Sequence, residues 1–306
     1  MIKQRTLVSE VSTTGLGIHS GKKVHITLKP APADYGISFT RVDLEGRPTI
    51  KALAENVGAT DNNTTLTKNG VSIHTVEHLM SALYGTGVNN CIVEIDAAEV
   101  PIMDGSSTSF VFLIKEAGVK NLEAERKFLV IKRAVIVEDN GKWAKIEPSE
   151  QLEIDSTIIF AHPQIKMQRK NFVFNCENYL EEISRARTFG FMKDVDMLKR
   201  KGLAKGASLD NAIGLDDFKI LNPQGLRYKD EFVRHKVLDT IGDVSLLGHD
   251  VIGKITTYKS GHYIHNLLCR KILEHSENYE VIEISGVGEK AKESLALPEG
   301  LSPVYL

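Results

Sequence analysis

Between residues 23 and 39, and again at Cys91–Ile95, β-branched and aromatic positions alternate with polar ones, the two-residue period of a half-buried sheet. Pro30-Ala31-Pro32 and Lys68-Asn69-Gly70 supply turns between such runs. Two segments then change to helical spacing. Ile73, Val76, Met80 and Leu83 define one stripe, and Phe110, Leu113, Ile114 and Ala117 a second, with Gly85 and Gly118 as stops. After the charged stretch Glu123-Ala124-Glu125-Arg126-Lys127 the order restarts. Strand patterns at residues 128–138, 143–147 and 152–160 lead to helical patterns near residues 178–184 and 231–247. Residues 189–215, rich in Gly, Lys and aliphatics, have no counterpart in the first half and read as a functional insert.

The pattern predicts an α+β protein of two similar domains, residues 1–125 and 126–306, each a sheet layer packed on two helices. A length of 306 residues suits two domains of about 150. Lys plus Arg (38) nearly balance Asp plus Glu (40), which argues against a nucleic-acid partner. Three scattered cysteines give no disulfide framework and no cysteine metal site. The N-terminal residues lack the apolar core of a signal peptide, and the longest apolar run, residues 110–114, is far short of a membrane span. The expectation is a cytoplasmic monomer without an integral membrane segment.

Candidate chemistry sits first in His74-Thr75-Val76-Glu77-His78. Read as one helix, it puts His74 and His78 a turn apart on one face, the H-x-x-E-H arrangement in which two histidines bind zinc and the glutamate activates water. Polar residues at a helix end are the plain alternative. In residues 230–243, His235, Asp239 and Asp243 recur every four positions opposite an apolar face of Val233, Val237, Ile241 and Val244. An imidazole and a carboxylate at that spacing can share a metal, or form an ordinary ion pair. A third feature is His262, a loop histidine after the strand-like residues 251–258.

These residues fall within motifs by which the chain resembles the UDP-3-O-acyl-N-acetylglucosamine deacetylases, zinc amidases of lipid A biosynthesis. The motifs are Gly15-Leu16-Gly17-Ile18-His19-Ser20-Gly21, Thr75-Val76-Glu77-His78, Val100-Pro101-Ile102-Met103-Asp104-Gly105-Ser106, Ser184-Arg185-Ala186-Arg187-Thr188-Phe189-Gly190-Phe191, Phe232-Val233-Arg234-His235-Lys236 with Asp239, and Lys259-Ser260-Gly261-His262. They run in family order through almost the whole chain.

The resemblance implies two α+β domains with the active site at their interface. It also implies one catalytic Zn2+ held by His78, His235 and Asp239, with His74 dispensable. Glu77 would be the general base, Thr188 the oxyanion donor, and His262, kept charged by Asp243, the acid. The expected reaction is hydrolysis of the N-acetyl group of UDP-3-O-[(R)-3-hydroxyacyl]-N-acetylglucosamine to free amine and acetate. Lys236 and Lys259 are candidate diphosphate donors, and Phe160 a candidate uracil stack. Phe189, Phe191, Val195, Leu198, Leu203 and Ala212 are candidates for contact with substrate, the last five lining an acyl-chain passage in the insert. One departure follows the final motif, Tyr263-Ile264-His265-Asn266, where the family usually has small and amide residues. His265 is expected to be idle. The rival readings are an H-x-x-E-H metallopeptidase using His74 and His78, and a nucleotide-sugar or acyl-chain binding protein without catalysis.

Overall fold

A computed structural model describes residues 2–296. In the first half a five-stranded sheet runs in the order Val11–Leu16, Lys23–Pro30, Cys91–Ile95, Ile37–Arg41, Thr49–Lys51. Alternation in Lys23–Pro30 turns Val24, Ile26 and Leu28 inward, as the two-residue period requires. The hairpin Leu66–Lys68 to Val71–Ile73 closes through Asn69 and Gly70, both at positive φ, the turn that matches strand twist. Helix α1 (Glu77–Gly85) packs on α2 (Thr108–Ala117), and α2 packs on strand Val11–Leu16. Gly118, at φ +71°, caps α2.

The second half is a seven-stranded sheet around the central strand Asp250–Tyr258. That strand pairs in parallel with Lys127–Ile131 and Leu152–Phe160, and antiparallel with Lys142–Glu147. Strands Lys166–Val173 and Tyr279–Glu283, which the pattern did not reveal, extend it. The insert is a parallel pair, Phe189–Phe191 with Ile213–Leu215, connected through helix α3 (Met192–Arg200). Helices α4 (Glu231–Val244) and α5 (His262–Glu274) lie against the sheet. In each half the order helix, strand, helix, strand recurs. It runs through α1, Cys91–Ile95, α2 and Val119–Glu125, then through α4, Asp250–Tyr258, α5 and Tyr279–Glu283.

One buried apolar cluster runs through both halves, because α1 packs on α4 between the two sheets. Gly242 makes that crossing possible: a Cβ there would come within 2.2 Å of the Glu77 carbonyl oxygen. Removing one methyl group at Gly242 therefore sets how closely the start of α1 approaches the polar line of α4. Across the same junction, the buried Arg126 guanidinium binds Asp250 through Nε to Oδ2 and Nη2 to Oδ1, and donates to the Gly87 carbonyl.

Two sequence expectations need correction. Residues 73–83 are not one helix. Ile73 ends a strand, His74 bridges Glu99 in extended geometry, and Thr75 stands at φ +61° before α1 begins at Glu77. A β-branched residue at positive φ is strained and breaks the helical period, so His74 and His78 do not share a face. His262 is not a loop residue but the first residue of α5, whose apolar positions Ile264, Leu268 and Ile272 escaped the pattern reading.

Candidate metal centre and active-site cleft

At the α1–α4 crossing, His78 from the first turn of α1 meets His235 and Asp239 from successive turns of α4. His235 Nε2 lies 3.3 Å from Asp239 Oδ1 and His78 Nε2 3.7 Å from the same oxygen. The two rings stand edge to face with centroids 5.0 Å apart. One ligand atom from each of the three falls within 4.8 Å of the others. The Ala186 carbonyl accepts from His235 Nδ1 at 3.0 Å, which fixes the tautomer and leaves an Nε2 lone pair facing the set. Burial pushes the His78 imidazolium down to about 3, and burial likewise lowers His235. Both rings are thus neutral donors. Burial opposes ionisation of Asp239, but the Lys236 ammonium overcomes it and holds the carboxyl well below its ordinary range.

The residues fit a metal by a direct test. Asp239 Oδ2 accepts from Lys236 Nζ at 2.7 Å, whereas buried Oδ1 has no hydrogen-bond partner. An orphaned buried carboxylate oxygen costs free energy unless something electropositive meets it. Two neutral imidazoles converge on the same point, and the set suits a divalent ion that accepts nitrogen and oxygen ligands. A second group, Asp243, His262 and His265, is also close-set, but its facing atoms are already hydrogen-bonded to one another.

Glu77 lies beside the metal-competent set. Its Oε2 accepts from the Thr64 backbone N–H at 3.0 Å and its Oε1 is 3.7 Å from His262 Nε2. Burial, reinforced by Asp243 and Asp239, raises the Glu77 carboxyl to about 7, the range of a general base. Burial also works against charge on His262, yet Asp243 and Glu77 outweigh it and lift the imidazolium to about 9. His262 Nδ1 donates to Asp243 Oδ2 at 2.8 Å, and Asp243 is depressed by the same contact against its own burial.

These groups form the floor of a cleft of about 810 Å³ that extends into the insert. The cleft is lined by Thr188, Phe160, Phe189, Val195, Leu198, Ala212, Lys236 and Lys259, as well as by the metal-competent set, Glu77 and His262. Phe191 and Leu203, expected in the passage, do not line it. The Phe191 ring packs on Phe160 and His162 instead, where it supports the wall from behind. Ile18, Ile102, Ala204, Ala207 and Leu209 add apolar surface that no motif role had assigned. Lys142 and His19 also reach the cleft.

The motifs now have local reasons. In residues 184–191, Arg187 forms a buried pair with Glu231 through Nε and Nη2, Ala186 orients His235, and Thr188 is tied by its N–H to the Gly105 carbonyl at 2.8 Å. In residues 15–21, the N–H groups of His19 and Ser20 each donate to the Glu99 carboxylate at 2.8 Å, and the Ile18 carbonyl receives the N–H of Gly206 from the insert at 3.0 Å. Both loops clamp the insert over the cleft. His74, by contrast, pairs through Nδ1 with Thr65 Oγ1 and is absent from the donor set, which removes the two-histidine helix that the peptidase reading needs. Thr64 was missed altogether; two adjacent threonines in a polar loop carry no sequence signal of a role.

A buried pair of imidazoles and a carboxylate, with a glutamate and a charged histidine beside them at the head of a deep cleft, has the make-up of a metal-dependent hydrolase centre. Residues 4–274 match the family model of UDP-3-O-acyl N-acetylglycosamine deacetylase (LpxC), and the chain belongs to that family. It is 50% identical to the UDP-3-O-acyl-N-acetylglucosamine deacetylase of Thioalkalivibrio sulfidiphilus over 300 residues, 97% of this chain and 99% of the relative. It is 52% identical to the protein of that name from Hahella chejuensis over 291 residues, 94% and 96% of the two chains. With the protein of that name from Marinobacter nauticus it shares 52% over 284 residues, 92% and 93%. Among the described residues no helix is long and apolar enough to cross a membrane.

Proposed function

We propose that the protein removes the N-acetyl group from UDP-3-O-[(R)-3-hydroxyacyl]-N-acetylglucosamine, the committed hydrolysis of lipid A biosynthesis, as a cytoplasmic monomer with one Zn2+. The observation that carries the reading is the orphaned Asp239 Oδ1 facing His78 and His235, beside Glu77 and His262, at the head of an apolar cleft. His78 Nε2, His235 Nε2 and Asp239 Oδ1 would hold the ion. When bound, zinc supplies a Lewis acid that makes water nucleophilic near neutral pH and polarises a carbonyl.

The chain's own groups account for the rest. Glu77, with His262 beside it, takes the proton from the attacking water. The Thr188 hydroxyl donates to the oxyanion that develops from the amide carbonyl. Charged His262, aimed by Asp243, stabilises that charge through Nε2 and gives its proton to the departing amine, so that the products are amine and acetate. The acyl chain runs between Val195, Leu198 and Ala212. Phe160 stacks on the uracil, and Lys259 and Lys236 face the diphosphate, Lys236 with one donor already committed to Asp239. The domain boundary near residue 125 is supported by the change of sheet between Val119–Glu125 and Lys127–Ile131.

The test is zinc content together with deacetylation of the nucleotide sugar by the purified protein and by Glu77→Gln. The variant is expected to retain zinc and substrate affinity while kcat falls by roughly 10²- to 10⁴-fold. Near-normal turnover by the variant would remove Glu77 from the role of base, and an inactive parent loaded with zinc would remove the reaction.

A further inference from the structure

His265 is not idle in the fold. It sits one turn after His262 on α5, its ring 6.4 Å from the His262 ring at 88°, and only 1% of its side chain is exposed. Both imidazoles point at one oxygen. His262 Nδ1 and His265 Nδ1 each lie 2.8 Å from Asp243 Oδ2, while Thr64 Oγ1 donates to Asp243 Oδ1 at 2.5 Å. The other His265 nitrogen, Nε2, lies 2.9 Å from Ser260 Oγ and 3.3 Å from Thr240 Oγ1.

The protons can be assigned one by one. Thr240 spends its hydroxyl proton on the Lys236 carbonyl at 2.8 Å, so it has none for His265. Ser260 has one, and donates it to Nε2. That places the His265 proton on Nδ1, where it must go to Asp243. Every polar atom of the buried ring is then satisfied.

We infer that His265 is a positioning residue for the deacetylation, and that it holds the Asp243 carboxylate in the one orientation that aims His262 into the cleft. This rests on the deacetylase reading above. A carboxylate torsion is soft and broad, and one hydrogen bond does not fix its plane. Three donors from three directions do: Thr64 on Oδ1, and the two imidazoles on Oδ2. His262 faces the cleft and is anchored by that same oxygen, so a rotation of Asp243 swings its Nε2 away from Glu77 Oε1. Misplacing a catalytic group by about 1 Å is enough to cost roughly 100-fold in rate. His265 itself does not line the cleft.

A residue that merely fills the core would be replaced best by an apolar side chain of similar size, and a donor to Asp243 best by an amide whose nitrogen falls where Nδ1 was. The experiment compares zinc-loaded parent, His265→Leu and His265→Asn in zinc content, unfolding midpoint, KM and kcat on UDP-3-O-acyl-N-acetylglucosamine. His265→Leu is expected to keep zinc and fold, to leave KM within about threefold, and to lose roughly 10- to 100-fold in kcat, the worth of one hydrogen bond to a charged group. His265→Asn is expected to stay within about threefold of the parent in kcat. Near-parental turnover by His265→Leu, or an equal loss in both variants, overturns the inference while leaving the deacetylase intact. A zinc-loaded parent that does not deacetylate overturns the underlying reading instead. Should the Leu variant not fold, His265→Gln, whose longer amide reaches past Asp243 towards Ser260, takes its place and is read in the same way.

Discussion

The charge on His262 is the most directly testable consequence of the cleft's electrostatics, and Asp243→Asn, read through the shape of its pH profile, is the perturbation that tests it. The change keeps the side-chain shape and one oxygen to accept from the imidazoles, but it turns the other oxygen into an amide donor and removes the negative charge 2.8 Å from Nδ1. Burial alone drives a histidine down, yet His262 is lifted from 6.5 to about 9, with Asp243 the largest upward influence. The net lift corresponds to about 3 kcal/mol of preference for the charged ring. At pH 8 a group titrating near 9 is about nine-tenths protonated; one returned to 6.5 is about three-hundredths protonated. The variant should therefore lose about 30-fold in kcat at pH 8, with the alkaline limb of its profile moved down by about two units or more, while near pH 6 the loss should be far smaller. A dication at His78, His235 and Asp239 disfavours the charged ring in parent and variant alike, so the difference between the two limbs is the quantity to read.

The assay is initial rates at saturating nucleotide sugar from about pH 5 to about pH 10, with zinc content checked throughout. An alkaline limb unmoved in Asp243→Asn would refute the reasoning, since it would then belong to another group. The same linkage has a sign for stability. A histidine raised in the fold stabilises fully below its unfolded value near 6.5, and that stabilisation is lost as pH rises through about 9.

Further outcomes follow from the same geometry. Alanine at His78, His235 or Asp239 should each abolish stoichiometric zinc by metal analysis, whereas His74→Ala should retain it; zinc loss in the His74 variant would overturn the ligand set. Val195→Asp should weaken a long-chain substrate but hardly alter one shortened by four methylenes. In the parent that shortening should cost about 3 kcal/mol, or roughly 100-fold in kcat/KM, at about 0.8 kcal/mol per CH₂. Equal losses on both substrates would deny the cleft its acyl role. Asp250→Ala leaves the Arg126 guanidinium buried and uncompensated, so urea unfolding should reveal a loss of about 3 to 5 kcal/mol. A loss under about 1 kcal/mol would mean that water reaches the junction.

What the sequence determined by itself was local. The line His235, Asp239, Asp243 was legible because a helix repeats every 3.6 residues and the three side chains come from one continuous segment. The strands from Lys23 to Phe160 were legible wherever one face is buried and the other wet. Motif order pointed to the family, whose model the chain then matched. The H-x-x-E-H pattern misled, because its spacing presumes helix throughout and Thr75 at φ +61° places His74 on a different path. Only the tertiary structure brought His78 to His235 across more than 150 positions, through a helix crossing that depends on a missing side chain at Gly242. The same is true of Thr64 and His265. Each is an unremarkable residue in its own segment, and each acquires a role only because Asp243, a carboxylate from a separate helix, is folded against it. Periodicity reports which face of an element is buried; it carries no information about which distant polar group that face will meet.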